Sequence, residues 1–259
     1  MPLELLYTRA SATPPSAELM HYVVGHSDYG KYLRSGAEVY TVFDLACQRY
    51  ANKRMDEFER TLDFGCGIGR ILQFLGDKRG LSACDVYVPA VDYVQSSFSE
   101  VEAYTNPLMP PIKYEDDRFD LIYSFSVFSH LERDVEEAWL AELGRVTKPG
   151  GLLLLTVHGD WWIKTSFGDR ADEMSKQGFF VEKAYDRSKG DIEFPEYYEA
   201  SYHTRAYIDQ EWSKHFDILD VISGETSHEH LVPGMLFEPR GEVPMFSPLG
   251  QDLVIARAR

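Results

Sequence analysis

Leu62-Asp63-Phe64-Gly65-Cys66-Gly67-Ile68-Gly69-Arg70 sets a glycine-rich turn between an apolar strand, Thr61–Phe64, and a helix over about Arg70–Leu75. Glycine admits positive φ and lets a ligand come close to the backbone. The free N–H groups at the helix start then favour a negative or carboxylate-bearing group. The next strand, Leu81–Asp85, ends on an acid 20 residues after the first glycine. A carboxylate there can accept both hydroxyls of a ribose. The spacing is Asp-x-Gly-x-Gly-x-Gly. Arg70 stands where the last glycine of the dinucleotide pattern G-x-G-x-x-G would fall.

Outward from this turn, strands and helices alternate. After Leu81–Asp85 come a helix over Val88–Phe98, a weak strand over Glu100–Tyr104 and a strong one over Phe119–Ser124. A helix over Val135–Val146, a turn at Lys148-Pro149-Gly150-Gly151 and a strand over Leu152–Val157 follow. Such alternation predicts an α/β fold, a parallel sheet with helices on both faces. Upstream, Ser16 caps a helix running toward Val24. A second helix spans about Ala37–Tyr50, with Gly25, Gly30 and Gly36 as punctuation. Downstream, a helix runs from Thr204 to about Lys214, and Phe216–Ile222 and Asp252–Ala256 read as strands. Residues 159–203 are rich in aromatic and charged residues, and 223–251 read as a long loop or small cap. The organisation expected is a helical N-terminal lid over 1–59 and a domain over 60–259 with insertions at 159–203 and 223–251.

Composition narrows the function. Among 259 residues, 42 Asp and Glu face 26 Lys and Arg, for a formal charge of −16. An acidic surface repels phosphate backbones, so nucleic acid is not expected as the main partner. No apolar stretch reaches the length of a membrane span, and no signal peptide is read at the N-terminus. Cys47, Cys66 and Cys84 suit neither a disulfide framework nor a structural zinc site. A soluble cytoplasmic protein is expected.

The Asp-x-Gly-x-Gly-x-Gly turn resembles that of the class I S-adenosylmethionine-dependent methyltransferases. Arg118–Leu131 resembles that family's fourth strand and following loop, and Trp139–Gly151 its next helix and proline-glycine turn. The likeness covers about residues 60–158 and points toward the small-molecule branch of glycan and natural-product biosynthesis. Softer likenesses are Gly25–Leu33, to a cofactor-covering segment, and Tyr202–Tyr207 with Glu211-Trp212, to a late helix.

The resemblance implies a doubly wound, mostly parallel seven-stranded Rossmann-like sheet and S-adenosyl-L-methionine as cofactor, with S-adenosyl-L-homocysteine as product. It assigns Asp63, Gly65, Cys66 (by its backbone), Gly67 and Gly69 to the methionine end. Asp85 takes the ribose, Val86 and Asn106 the adenine, and Ser124 and Phe125 lie beside the sulfur. Tyr32 closes over the methionine moiety. His130, His158 and His203 are the candidate bases for an acceptor hydroxyl. Trp161 and Trp162 are candidate pocket walls. The acidic aromatic run Glu193–Glu199 is a candidate for a cationic or sugar-like group, and no metal is expected at His228-Glu229-His230. The acceptor expected is a small molecule, methylated on oxygen or nitrogen, with a homodimer left open. The rivals are a nicotinamide oxidoreductase, a protein or nucleic-acid methyltransferase, and a catalytically silent scaffold that binds S-adenosylmethionine.

Overall fold

The computed structural model of the chain describes residues 13–182, 199–224 and 250–259. Its centre is a seven-stranded sheet. The strands are β1 (Thr61–Phe64), β2 (Leu81–Asp85), β3 (Glu102–Thr105), β4 (Phe119–Ser124), β5 (Thr147–Val157), β8 (Phe216–Ile222) and β9 (Asp252–Ala258). Spatial order is β3-β2-β1-β4-β5-β9-β8. All neighbours from β3 to β5 pair in parallel, and β9 runs antiparallel to both β5 and β8. The order reverses between β1 and β4, which puts a crevice at the carboxyl ends of those two strands. This is the doubly wound, mostly parallel Rossmann-like architecture that the resemblance implies, and it contains the parallel sheet that the alternation predicts.

The apolar run Leu152-Leu153-Leu154-Leu155 shows why such a sheet is buried on both sides. Leu152 and Leu154 enter one core cluster, Leu153 and Leu155 the other. Helix α5 (Arg133–Val146) covers one face with Trp139, Leu140, Leu143 and Val146. Helix α2 (Tyr29–Ala51) covers the other with Val39, Tyr40, Val42, Phe43, Ala46 and Cys47. The N-terminal helical region is thus continuous with the core.

Three elements differ from the sequence reading. Helix α2 starts at Tyr29, capped by Asp28, whose side chain accepts from the Lys31 N–H at 2.9 Å. It runs through Gly30 and Gly36, which the sequence suggested were breaks. Gly36 is there for close packing: a Cβ on it would sit 2.3 Å from the Arg70 carbonyl oxygen. The Lys148–Gly151 turn is the irregular start of β5, with Gly150 at φ 80° and a register shift between Phe119 and Leu121. The described residues of the 159–203 stretch are also more regular than expected. They hold α6 (Asp160–Phe167), α7 (Ala171–Ser175) and an antiparallel pair, β6 (Phe179–Glu182) with β7 (Ala200–His203).

The remaining helices are α1 (Ala17–Val24), α3 (Leu72–Leu75), α4 (Val88–Ser97) and α8 (Arg205–Glu211). Ser16 caps α1, accepting from the Leu19 N–H at 3.1 Å. No helix among the described residues is long and apolar enough to cross a membrane.

Candidate functional site

The glycine turn lies where β1 meets the crevice. Gly65, Gly67 and Gly69 all have positive φ, at 74°, 49° and 71°. The turn is also crowded. A Cβ on Gly65 would lie 2.1 Å from Val127 Cγ2, and one on Gly67 would lie 2.9 Å from Val23 Cγ1. The loop after β4 and helix α1 therefore both press onto it. Cys66 is buried, and its N–H and that of Gly65 donate to the Cys84 carbonyl at 3.0 and 2.9 Å, tying the turn to β2.

Asp85 faces this turn. Its Oδ2 accepts from the Gly67 N–H at 2.8 Å and its Oδ1 from the Tyr87 N–H at 2.9 Å. Burial raises its pKa and the backbone donors oppose the rise. Each carboxylate oxygen has capacity for a further donor such as a ribose hydroxyl. Val86 follows, half-buried, and Asn106 is buried beside it, its N–H donating to the Asp85 carbonyl at 3.0 Å. The Asn106 side-chain amide is turned onto the Pro107 carbonyl at 2.8 Å.

Asp63 is buried next to Tyr123, and burial pushes its pKa up to about 8. Ser124 is buried, and its hydroxyl has no hydrogen-bond partner among the described residues. Phe125 lies under the Arg70 guanidinium, 4.6 Å from the ring centroid. Tyr32 donates its hydroxyl to the Ile68 carbonyl at 2.9 Å, so it braces the glycine turn from α2. A poorly solvated carboxylate, an orphaned hydroxyl and a glycine cradle with an acid at the neighbouring strand end fit a cationic amino acid joined to a nucleoside.

The three histidines separate. His130 and His158 meet past β4 and β5, their rings T-shaped with centroids 5.8 Å apart. His130 Nδ1 is 2.8 Å from the Glu199 carbonyl. Burial lowers its pKa to about 4, and burial with the neighbouring histidines lowers that of His158 to about 3. The His158 ring packs against Trp162 and Tyr202. Trp161 packs edge-on against Trp162.

The structure corrects the reading of His203 as a candidate base. It is fully buried, and its Nε2 is hydrogen-bonded to Glu136, which also accepts from the Tyr207 hydroxyl at 2.9 Å and the Trp212 indole at 3.0 Å. This network joins β7 to α5 and leaves no access for an acceptor. Of the acidic aromatic run only Glu199 is among the described residues, and His228-Glu229-His230 lies outside them. No group of three or more metal-ligating side chains occurs among the described residues.

Sequence reading missed a polar group at the same sheet end. Thr156 Oγ1 donates to Gln251 Oε1 at 2.7 Å and accepts from the Ser126 N–H at 2.8 Å. Gln251 Nε2 reaches Ser126 Oγ at 3.0 Å and Ser129 Oγ at 3.4 Å. The signal was present: Thr156 is the polar residue in an otherwise apolar strand run, and a buried hydroxyl needs a partner. The partner, 95 residues away, was not visible.

Fold and site together define a doubly wound α/β domain with a glycine turn and a strand-end acid at its topological crevice. Residues 61–151 match the family described as methyltransferase domain. The chain is 33% identical over 113 residues to the tRNA N(3)-cytidine methyltransferase METTL2 of Gallus gallus, a match over 39% of this chain and 30% of that protein's length. The chain thus spans less than a third of that curated relative.

Among solved structures, a S-adenosylmethionine-dependent methyltransferase of Methanosarcina mazei superposes with a TM-score of 0.55 at 19% identity, over 80% of this chain and 95% of that one. A Thermotoga maritima methyltransferase, described as a possible histamine N-methyltransferase, gives 0.54 at 12%, over 95% and 100%. The 4+2 cyclase SpnF gives 0.53 at 18%, over 93% and 91%. These likenesses show the shared fold. Residues 61–151 thus carry the sequence pattern of a methyltransferase domain, on a fold shared with S-adenosylmethionine-dependent methyltransferases.

Proposed function

We propose that this protein transfers a methyl group from S-adenosylmethionine to an oxygen or nitrogen of a small molecule. The observation that carries the reading is the pairing of His130 and His158 beyond β4 and β5, at the sheet end that bears the glycine turn. Asp63 receives the cofactor's ammonium group, the glycine turn seats its methionine part, and Asp85 accepts from the ribose hydroxyls. Val86 and Asn106 border the adenine. Ser124 and Phe125 stand beside the sulfur, and Tyr32 holds the turn from behind.

The bound cofactor supplies an electrophilic methyl group on a sulfonium. The chain's own work is alignment and exclusion of water. His130 and His158 are neutral at pH 7, because burial holds their pKa values well below the ordinary range. Such histidines are weak bases, and their main service is to accept a hydrogen bond from the acceptor's O–H or N–H and aim its lone pair. Trp162 and Tyr202 supply an apolar wall.

A second reading comes from the chicken relative, whose name specifies a tRNA acceptor. Two observations weigh toward the small molecule: the formal charge of −16, and the acids Asp160 and Asp252 next to the strand end that carries His158. Labelled S-adenosylmethionine offered with phenols, sugars and amines, and in parallel with total tRNA and peptides, separates the readings. Label on the small acceptors is expected. Label on tRNA or peptide alone would replace the small molecule by that polymer. Cofactor binding with transfer to none would make the protein a silent scaffold.

A further inference from the structure

Ser126, directly after β4, has φ of 63°, a left-handed conformation that a side chain other than glycine adopts at a cost. Among the described residues only Asn52 and Asp117 share this among non-glycines, and Asn52 caps the end of α2. Ser126 ends no helix. A ring of hydrogen bonds surrounds it instead. Its N–H donates to Thr156 Oγ1, that hydroxyl donates to Gln251 Oε1, and Gln251 Nε2 donates to Ser126 Oγ and reaches Ser129 Oγ. Thr156, Ser129 and Gln251 are all buried.

One primary amide thus supplies both the acceptor that orients Thr156 and the donor that holds Ser126. Leucine offers neither. A carboxylate offers the acceptor alone, and asparagine is one methylene shorter. Holding Ser126 places its neighbours on the glycine turn. Val127 fills the space against Gly65, and Phe125 lies under Arg70.

We propose that Gln251 is a positioning residue that fixes the Phe125–Ser129 loop over the glycine turn through Ser126. Gln251 immediately precedes β9 and is remote in sequence from the turn. Its consequence for catalysis rests on the methyl-transfer reading; its hold on Ser126 does not.

The test uses the full chain with Gln251→Glu, Gln251→Leu and Gln251→Leu combined with Ser126→Gly. The probes are S-adenosylhomocysteine affinity by calorimetry and amide hydrogen exchange at Ser126 and Val127. Gln251→Glu is expected to bind about five- to tenfold more weakly at pH 8, the loss of about one net hydrogen bond. Asp63 and Asp252 titrate in this range in every variant, so affinity is read as a ratio to wild type at the same pH; that ratio should recover at pH 5 to 5.5, where the introduced carboxyl group, once protonated, again donates to Ser126. Gln251→Leu should lose amide protection at both positions. Added Ser126→Gly should return part of the affinity, because glycine adopts this φ freely. Wild-type affinity and protection in Gln251→Leu, or a ratio of Gln251→Glu to wild-type affinity that does not change with pH, would overturn the proposal. If the wild-type chain bound no S-adenosylhomocysteine, the functional reading would fail, and the exchange data alone would decide the role of Gln251.

Discussion

Asp63 holds its carboxyl group where water solvates it poorly, and its pKa rises from an ordinary 3.8 to about 8. A raised acid contributes stability that is whole below pH 3.8 and is lost as pH climbs through about 8, so the protein without ligand should weaken across that window. A bound ammonium group favours the ionised carboxylate. Binding of S-adenosylhomocysteine at pH 7 is therefore expected to release a proton from Asp63. Calorimetry in two buffers of different ionisation enthalpy measures the release, and Asp63→Asn should abolish that share of it. Asp85 belongs to the same scale. Asp85→Ala is expected to weaken cofactor binding by about 1–3 kcal/mol, because the ribose hydroxyls lose their acceptor and the Gly67 N–H loses its partner. Unchanged affinity would remove Asp85 from the site.

Helices α2 and α5 show how an element's role is set by its contacts. An exposed helical glycine normally gains about 1 kcal/mol on replacement by alanine. Gly36→Ala in α2 should do the opposite, because its Cβ would meet the Arg70 carbonyl 2.3 Å away and force α2 off the glycine turn. A melting temperature below wild type is expected; a rise would show that α2 and the turn adjust freely. In α5, Glu136 gathers His203, Tyr207 and Trp212 in a closed, buried network. Glu136→Ala strands three polar groups and is expected to destabilise by about 3–5 kcal/mol in denaturant unfolding. Replacing His203 should likewise act on stability, with turnover per folded molecule retained.

At the scale of the molecule, a formal charge of −16 on 259 residues works against compactness through self-repulsion. Added salt screens it, since the Debye length is about 10 Å at 0.1 M and about 3 Å at 1 M. Thermal stability is therefore expected to rise as sodium chloride is raised from about 0.05 to about 0.5 M. A flat or falling melting temperature would show that the acids are compensated by local pairing such as Arg145 with Glu142 and Asp116.

Local and periodic features were legible from the residues alone. Thr61–Phe64, Leu81–Asp85, Phe119–Ser124 and Phe216–Ile222 are strands as read, because apolar runs bounded by turn residues have few alternatives. The glycine turn and the strand-end Asp85 that faces it were legible too, because both are written at fixed short spacing. Which distant partners meet was settled by the folded chain. Folding turned His203 from a candidate base into a structural group by burying it against Glu136, and ran α2 through Gly30 and Gly36. It also set Gln251 against Thr156 and Ser126, because β9 enters between β5 and β8. Strand order and register bring such residues together, and neither follows from the spacing of residues along the chain.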